Sequence, residues 1–248
     1  MTGRAPSTQE KYPQFLEDQR AFFDELITRE WETYQDAGWD TRRRFEIDTL
    51  FNMLSARMVL DVGCGCGFHD VLMAEKKGVA DVCGIDYSEK SIETANRIYP
   101  HPEVRRSVED IGRATIIGQF DLVISFQVIE HLTDPAGFLK DCARHAAPGG
   151  YIVAVTPNRL RLSNRLRILA GGQAQLGDPQ HYREYVPSDL IALGREQGLE
   201  FFGLFAYGVT LRVPKTNFHL LPLPLGLRLG RLVPSISDCF GVILQKPK

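Results

Sequence analysis

Cysteine is scarce in this chain and never spaced for a bridge or a finger. Cys64, Cys66, Cys83, Cys142 and Cys239 form no Cys-x-x-Cys pair and fit no metal-finger pattern. That excludes a disulfide scaffold and points to reduced thiols in a cytoplasmic protein. Charge of one sign is missing too. Lysine and arginine number 29 against 31 aspartates and glutamates, a net charge of −2, so a chain built to grip a phosphate backbone is not expected and nucleic acid is a poor partner. No run of about eighteen apolar residues exists, hence no membrane span is expected. Residues 1–20 lack an apolar core followed by a small-residue cleavage site, so no secretory leader is expected either. Internal repeats and low-complexity tracts are absent. What is there is a 248-residue chain, 44% hydrophobic and 24% charged, long enough to bury one full core.

Hydrophobic patterning divides the chain into an N-terminal helical part, a body in which strands and helices alternate, and an irregular apolar tail. Phe22, Phe23, Leu26, Ile27 and Trp31 recur at helical spacing, and residues 41–54 form a further helix. This cap, 1–56, either covers one face of a sheet or acts as a lid. Strands are expected at 58–62, 81–85, 104–108, 120–126 and 151–155. Helices are expected at 68–77, stopped by Gly78, and from Ser88 to about Ile98, ended by Pro100. Another opens at Asp134-Pro135, an N-cap followed by proline at the first helical position. Pro148-Gly149-Gly150 reads as the turn before the fifth strand. A helix at 187–197, closed by Gly198, and strands at 199–207 and 238–245 complete the pattern. Strands separated by helices pair in parallel and make a three-layer, doubly wound α/β domain, 57–248, whose ligand lies beyond the C-terminal strand ends.

Three stretches carry chemistry. In Val59-Leu60-Asp61-Val62-Gly63-Cys64-Gly65-Cys66-Gly67 an apolar strand runs into glycines at alternate positions, with a helix next. Such a turn lets backbone approach a ligand closely. The dinucleotide fingerprint would need a glycine where Phe68 stands, so a pyrophosphate ligand is disfavoured. This turn also explains Cys64 and Cys66 better than a metal would, and no metal is expected. Asp86 ends the second strand, where a carboxylate either caps the next helix or accepts hydrogen bonds from both hydroxyls of a ribose. Ser88 is available as the cap, which leaves Asp86 for the ribose. In Phe120-Asp121-Leu122-Val123-Ile124-Ser125-Phe126-Gln127-Val128-Ile129-Glu130-His131-Leu132 a strand ends beside the same crevice, with a carboxylate and an imidazole just after it.

With these stretches, together with Pro148-Gly149-Gly150 and Thr156-Pro157-Asn158, the sequence resembles the class I methyltransferases. Within them it is similar to the branch containing ubiquinone-biosynthesis and small-molecule O-methyltransferases. The likeness runs from about residue 58 to residue 158. It implies a Rossmann-like seven-stranded sheet with helices on both faces and the last strand antiparallel, and S-adenosyl-L-methionine as cofactor. By this resemblance Asp61, Gly63, Cys64 and Gly65 line the methionine moiety, and Gly67 lets the first helix pack closely. Asp86 binds ribose, Tyr87 lies against the adenine, and Val108 and Glu109 border the adenine edge. Phe126 and Gln127 close the cofactor pocket, while Glu130 and His131 face the reaction centre.

Methyl transfer needs alignment, exclusion of water and, for a hydroxyl of high pKa, a base. His131 is the first candidate for that base, the alternative being a histidine that holds a loop. His181, in Gln180-His181-Tyr182-Arg183-Glu184-Tyr185, is the second. Relatives carry a similar His-x-x-x-aromatic stretch on the acceptor side, and a plain surface loop is the other reading. His69, just after the glycine turn, reads as a helix start. The partner is a small-molecule acceptor, apolar or lipid-linked (a quinone precursor, a glycolipid or a natural product), with N- or C-methylation and cofactor binding without transfer as the alternatives. Residues 159–186 and 211–237 read as acceptor-side or lid insertions. In the first, Arg159, Arg161, Arg165 and Arg167 interleave with leucines over 159–170. Such a helix either rests on an anionic bilayer, at the inner face of a membrane, or packs as a lid. Residues 220–233 are apolar and broken by prolines, suiting a pocket wall, a homodimer interface or lipid.

Overall fold

In the computed structural model, the described residues are 21, 24, 25, 37–114, 116, 119–178, 180–211 and 221–248. The apolar segments become seven strands of one sheet. These are β1 (Met58–Val62), β2 (Asp81–Asp86), β3 (Val104–Val108), β4 (Phe120–Phe126), β5 (Ala146–Pro157), β6 (Glu200–Tyr207) and β7 (Cys239–Gln245). Their order is β3-β2-β1-β4-β5-β7-β6. The first five strands pair in parallel, and β7 runs antiparallel to both β5 and β6. The doubly wound sheet and the reversed last strand therefore match the expectation.

The helices are α1 (Ala37–Phe51), α2 (Phe68–Ala74), α3 (Glu89–Ile98), α4 (Pro135–His145), α5 (Leu162–Leu169), α6 (Pro187–Glu196) and α7 (Leu223–Leu232). Alternation along the strands decides which helices cover which face. Val59, Leu122 and Ile124 pack with Ile47 and Leu50 of α1, Leu72 and Met73 of α2, and Leu227 of α7. Leu60, Val62 and Val123 face the other way, against Phe138 and Leu139 of α4 and Leu190 of α6. Each such side chain, fully buried, contributes about 1.5–3 kcal/mol. The Ser88 hydroxyl accepts from the Ser91 N–H at 3.0 Å and starts α3. Asp134 accepts from the Gly137 N–H at 2.8 Å and starts α4.

Three local expectations change. β5 begins at Ala146, so Pro148-Gly149-Gly150 lies inside the strand. Gly149 N–H donates to the Lys246 carbonyl (3.0 Å) and the Gly150 carbonyl accepts from Lys246 N–H (2.9 Å). A register shift between Phe120 and Leu122 takes up the extra length. α2 ends at Ala74, short of Gly78. In 220–233 the prolines start a helix instead of breaking one. Pro222 is the N-cap of α7 and Pro224 sits in its first turn, where no intrahelical N–H is needed. Phe22, Phe23, Leu26, Ile27 and Trp31 lie outside the described residues, as do 212–220. Among the described residues no helix is long and apolar enough to cross a membrane.

After β1 the chain moves outward to β2 and β3, then returns to place β4 on the opposite side of β1. The crevice at the C-terminal ends of β1 and β4 is thus the point where strand order reverses, the place where such sheets take their ligands.

Candidate active site

The turn after β1 is held from below by β2, whose Ile85 carbonyl accepts from Gly63 N–H (2.7 Å) and Cys64 N–H (3.0 Å). Gly63 and Gly67 have φ of 76° and 75°, a left-handed conformation that suits glycine. A β-carbon at Gly63 would stand 2.5 Å from Val128, and one at Gly67 would stand 2.6 Å from the Arg106 Nε, whereas one at Gly65 would meet open space. The turn is therefore closed underneath and roomy above. Asp86 touches it directly. One Asp86 oxygen accepts from Gly65 N–H at 3.0 Å and the other from Ser88 N–H at 2.9 Å. A carboxylate offers about four acceptor sites, so two remain for a ligand. Burial raises the Asp86 pKa, and the two backbone N–H groups oppose that rise. Ser88 also donates to Asp24. Val108 lies in register with Asp86, and Glu109 N–H donates to the Asp86 carbonyl at 3.0 Å.

Beneath the turn lies a charge cluster. Asp70 of α2 and Arg106 of β3 form an ion pair at 2.7 Å, with side chains 0% and 1% exposed. Arg106 also donates to the Gly67 carbonyl (3.3 Å) and to the Ala95 carbonyl (3.4 Å), tying the turn to α3. Asp61, at the tip of β1, is buried, and among the described residues its hydrogen-bonding neighbour is the Asp70 carboxyl group, a bond that needs a proton on one of the two. Burial first, and then the Asp70 charge, push the Asp61 pKa well above the usual carboxylate range. Two buried carboxyl groups thus face one guanidinium.

At the tip of β4, Phe126 stacks on His69 with centroids 3.9 Å apart, and His69 pairs with Glu46 of α1 at 3.0 Å. Arg42 joins the same Glu46 at 3.2 Å and donates to the Cys239 sulfur at 2.9 Å. α1 is fastened over the crevice by these links. Gln127 is exposed and, among the described residues, alone takes a positive φ, 56°, without being glycine. Such strain is typical of functional turns.

Beyond Gln127 a turn of 3-10 helix, Ile129–His131, carries Glu130 and His131. Glu130 is buried, accepts from the Thr156 hydroxyl at 3.0 Å, and keeps its other oxygen without a partner among the described residues. Burial pushes its pKa up to about 7. Tyr182 N–H and Arg183 N–H both donate to the Glu130 carbonyl, at 2.8 and 3.1 Å. These bonds dock the segment carrying His181 onto the turn, and the two imidazoles meet edge to face at 5.0 Å. Ligand atoms of Glu130, His131 and His181 lie within 4.8 Å of one another, close enough to ligate a single cation.

The expected residues therefore fall into two adjoining groups along the C-terminal strand ends. Asp61, Gly63, Cys64, Gly65, Gly67, Asp86, Tyr87, Val108 and Glu109 surround the β1–β2–β3 tips, and Glu130, His131 and His181 gather beyond β4. Phe126 and Gln127 stand between them. Sequence reading missed Asp70 and Arg106; it read Glu184 only as part of the His181 stretch, and it set Arg161 in a bilayer- or lid-facing helix where the structure instead pairs it with buried Glu184. Gly84, a glycine within an apolar strand, was the signal for the first pair. A β-carbon there would stand 2.7 Å from Asp70, a close approach that glycines in strands often mark.

Comparison with known proteins agrees with this arrangement. The profile of the family described as methyltransferase domain matches residues 15–202, most of the chain. The chain belongs to the methyltransferase-domain family. This methyltransferase domain is 32% identical over 163 residues to a probable S-adenosylmethionine-dependent methyltransferase of Mycolicibacterium smegmatis, covering 65% of this chain and 59% of that one. It is 35% identical over 158 residues to the ubiquinone biosynthesis O-methyltransferase of Thiobacillus denitrificans, covering 59% and 66%. The chain thus spans about three fifths to two thirds of these relatives' lengths. The fold is shared with the magnesium protoporphyrin IX methyltransferase of Synechocystis, solved with bound S-adenosylhomocysteine, at a TM-score of 0.61 and 15% identity over 94% of this chain and 99% of that one.

Proposed function

We propose that this chain transfers a methyl group from S-adenosylmethionine to a hydroxyl of an apolar or lipid-linked small molecule. The observation that carries the reading is the second buried carboxyl group at the glycine turn, which has no guanidinium of its own. Neither Asp61 oxygen meets a hydrogen-bond donor beside the Asp70–Arg106 pair, and a cationic partner would let this buried carboxyl group ionise. A dinucleotide would bring phosphates to the same place and be repelled. Asp61 would hold the ammonium of the methionine part, the glycine turn would lie along it, and Asp86 would accept from the ribose hydroxyls. Tyr87, Val108 and Glu109 would border the base. When bound, the cofactor supplies an electrophilic methyl group, so the chain's own work is orientation, exclusion of water and removal of the acceptor's proton. Phe126, Gln127 and the α1 links Arg42–Glu46–His69 would shut out water, and the Glu130–His131–His181 group would take the proton.

Support for an apolar acceptor comes from the insertion after β5. On α5, Leu166, Ile168 and Leu169 are exposed, the last at 83%, and at the end of α7 Leu232 is 78% exposed. Arg165 joins the two regions by donating to the Ser235 carbonyl at 2.9 Å. Neither helix carries an acidic residue. This basic, leucine-rich surface would rest on an anionic bilayer in the cytoplasm, from which a lipid-linked acceptor would enter. The name of the Thiobacillus relative supports a quinone precursor as acceptor class.

The test is transfer of a labelled methyl group into extracts fractionated by polarity. Label in an organic-soluble ether supports the reading. Label on nitrogen or carbon replaces it with N- or C-methylation. Cofactor binding without labelled product across broad acceptor pools turns it into a binding protein.

A further inference from the structure

The acid group behind His181 belongs to none of the roles above. Glu184 has a fully buried side chain and forms an ion pair with Arg161, whose side chain is 14% exposed. It also accepts from the Gly177 N–H, and a β-carbon at Gly177 would stand 3.1 Å from the same oxygen. Arg161 is itself anchored, donating to the Gln175 carbonyl at 2.7 Å and to the Asn158 carbonyl at 3.2 Å. Asn164 fastens the same loop from the other side, through Gln175 N–H (3.0 Å) and Gln175 O (2.9 Å). All of this converges on one hydrogen bond, between Glu184 Oε1 and His181 Nδ1 at 3.0 Å.

We propose that Glu184, with Arg161 as its counter-ion, is a positioning residue that fixes the tautomer and ring orientation of His181, making His181 the group that takes the acceptor's proton. This rests on the methyl-transfer reading above. An ionised carboxylate can only accept a hydrogen bond, so Nδ1 of His181 carries the proton and Nε2 presents its lone pair. His181 brings one ring nitrogen within 4.8 Å of the ligand atoms of Glu130 and His131. Burial by itself would raise the Glu184 pKa, but the bonds from His181, Gly177 N–H and Arg161 outweigh it and hold Glu184 below the usual carboxylate range. The carboxylate therefore remains charged when the imidazole takes a proton and stabilises the imidazolium formed. His131 has a weaker support. Its Nδ1 meets the neutral Gln180 carbonyl at 3.1 Å, and burial together with the neighbouring His181 lowers its pKa. Charged groups around His181 include Glu130 from the 3-10 turn and Glu184 with its Arg161 counter-ion. The direct bond to the ring comes from Glu184.

The wild-type chain tests the first half by itself. In its neutral form, the nitrogen-15 spectrum of His181 must show a protonated Nδ1 and an unprotonated Nε2; the opposite pattern overturns the proposal. Glu184→Gln keeps the shape but loses the charge: its amide N–H turns either to Nδ1, against the Gly177 N–H, or to Arg161, and in both cases the imidazolium loses its counter-charge. On that change kcat falls about 100-fold, a size common for groups that orient a histidine, with KM for the cofactor unchanged. Glu184→Asp restores the counter-charge and much of the rate. A Glu184→Gln chain that keeps wild-type kcat refutes the proposal, as does His181→Ala costing no more turnover than His131→Ala. Should the wild-type chain transfer no methyl group to any acceptor, the reaction reading falls, and the ring-proton measurement still decides the positioning claim.

Discussion

Asp61→Asn is the substitution that most sharply separates ligand binding from stability in this site. Asp61 is buried, and once it ionises neither of its oxygens has a hydrogen-bond donor among the described residues, with the Asp70 carboxyl group beside it. Leaving one buried polar group unpaired costs about 1–3 kcal/mol, and a charged one costs more. An asparagine has the same shape, carries no charge, and can turn its amide N–H toward Asp70. The variant without cofactor should therefore be more stable than wild type by about 1–3 kcal/mol, a rise in Tm of roughly 2–12 °C for a chain of this size. The gap has a required pH dependence. A carboxyl whose folded-state pKa is raised costs nothing below its unfolded pKa, near 4, and its penalty grows as pH rises toward the folded pKa, then levels off. The two chains should thus unfold alike in mild acid and diverge toward neutrality.

Cofactor affinity should move in the opposite direction. Losing one charge-assisted bond to an ammonium costs about 1.5–3 kcal/mol, or roughly 10- to 150-fold in Kd. Binding to wild type should release a proton from Asp61, because a cation placed against it lowers the raised pKa, so affinity should increase with pH. Calorimetry in buffers of different ionisation heat measures that release, and thermal unfolding with and without cofactor measures the rest. An apo Asp61→Asn chain that is less stable than wild type would show that the native carboxylate is satisfied. Binding of unchanged strength would remove Asp61 from the cofactor.

Three further outcomes are expected. Asp86→Ala should weaken cofactor binding by about 1–3 kcal/mol through lost hydrogen bonds, and unchanged affinity by titration would take Asp86 out of the site. Arg106→Met leaves Asp70 buried without its counter-charge and should cost about 3–5 kcal/mol in denaturant unfolding. Adding Asp70→Asn to it should recover most of that loss, and an additive double variant would break the coupling. The chain should sediment with anionic vesicles at low salt and release as salt rises, less so after Leu169→Glu; equal partition to neutral and anionic vesicles would refute the bilayer surface.

The strands and the turn at Gly63–Gly67 were legible because their signals are local. A five-residue apolar run such as 58–62 followed by alternate glycines needs no distant partner to be recognised, and Ser88 and Asp134 announce their helices from the next residue. The missed pairings become meaningful only across long sequence separations. Arg106 pairs with Asp70 from a weakly patterned strand, and Arg161 meets Glu184 across an irregular insertion. Each partner alone reads as an ordinary surface charge. The proline-bearing stretch at 220–233 failed for a different reason. Pro222 and Pro224 oppose a helix in its interior and favour one in its first turn, so their effect depends on where the helix begins. The site divides along the same line. Groups that touch the cofactor sit at strand ends, where fold and sequence pattern coincide, while groups that set protonation sit on an insertion whose geometry comes from hydrogen bonds at Asn158, Asn164 and Arg161. Exchanging that insertion between relatives should therefore change the acceptor and its proton chemistry, and leave the binding of the methyl donor in place.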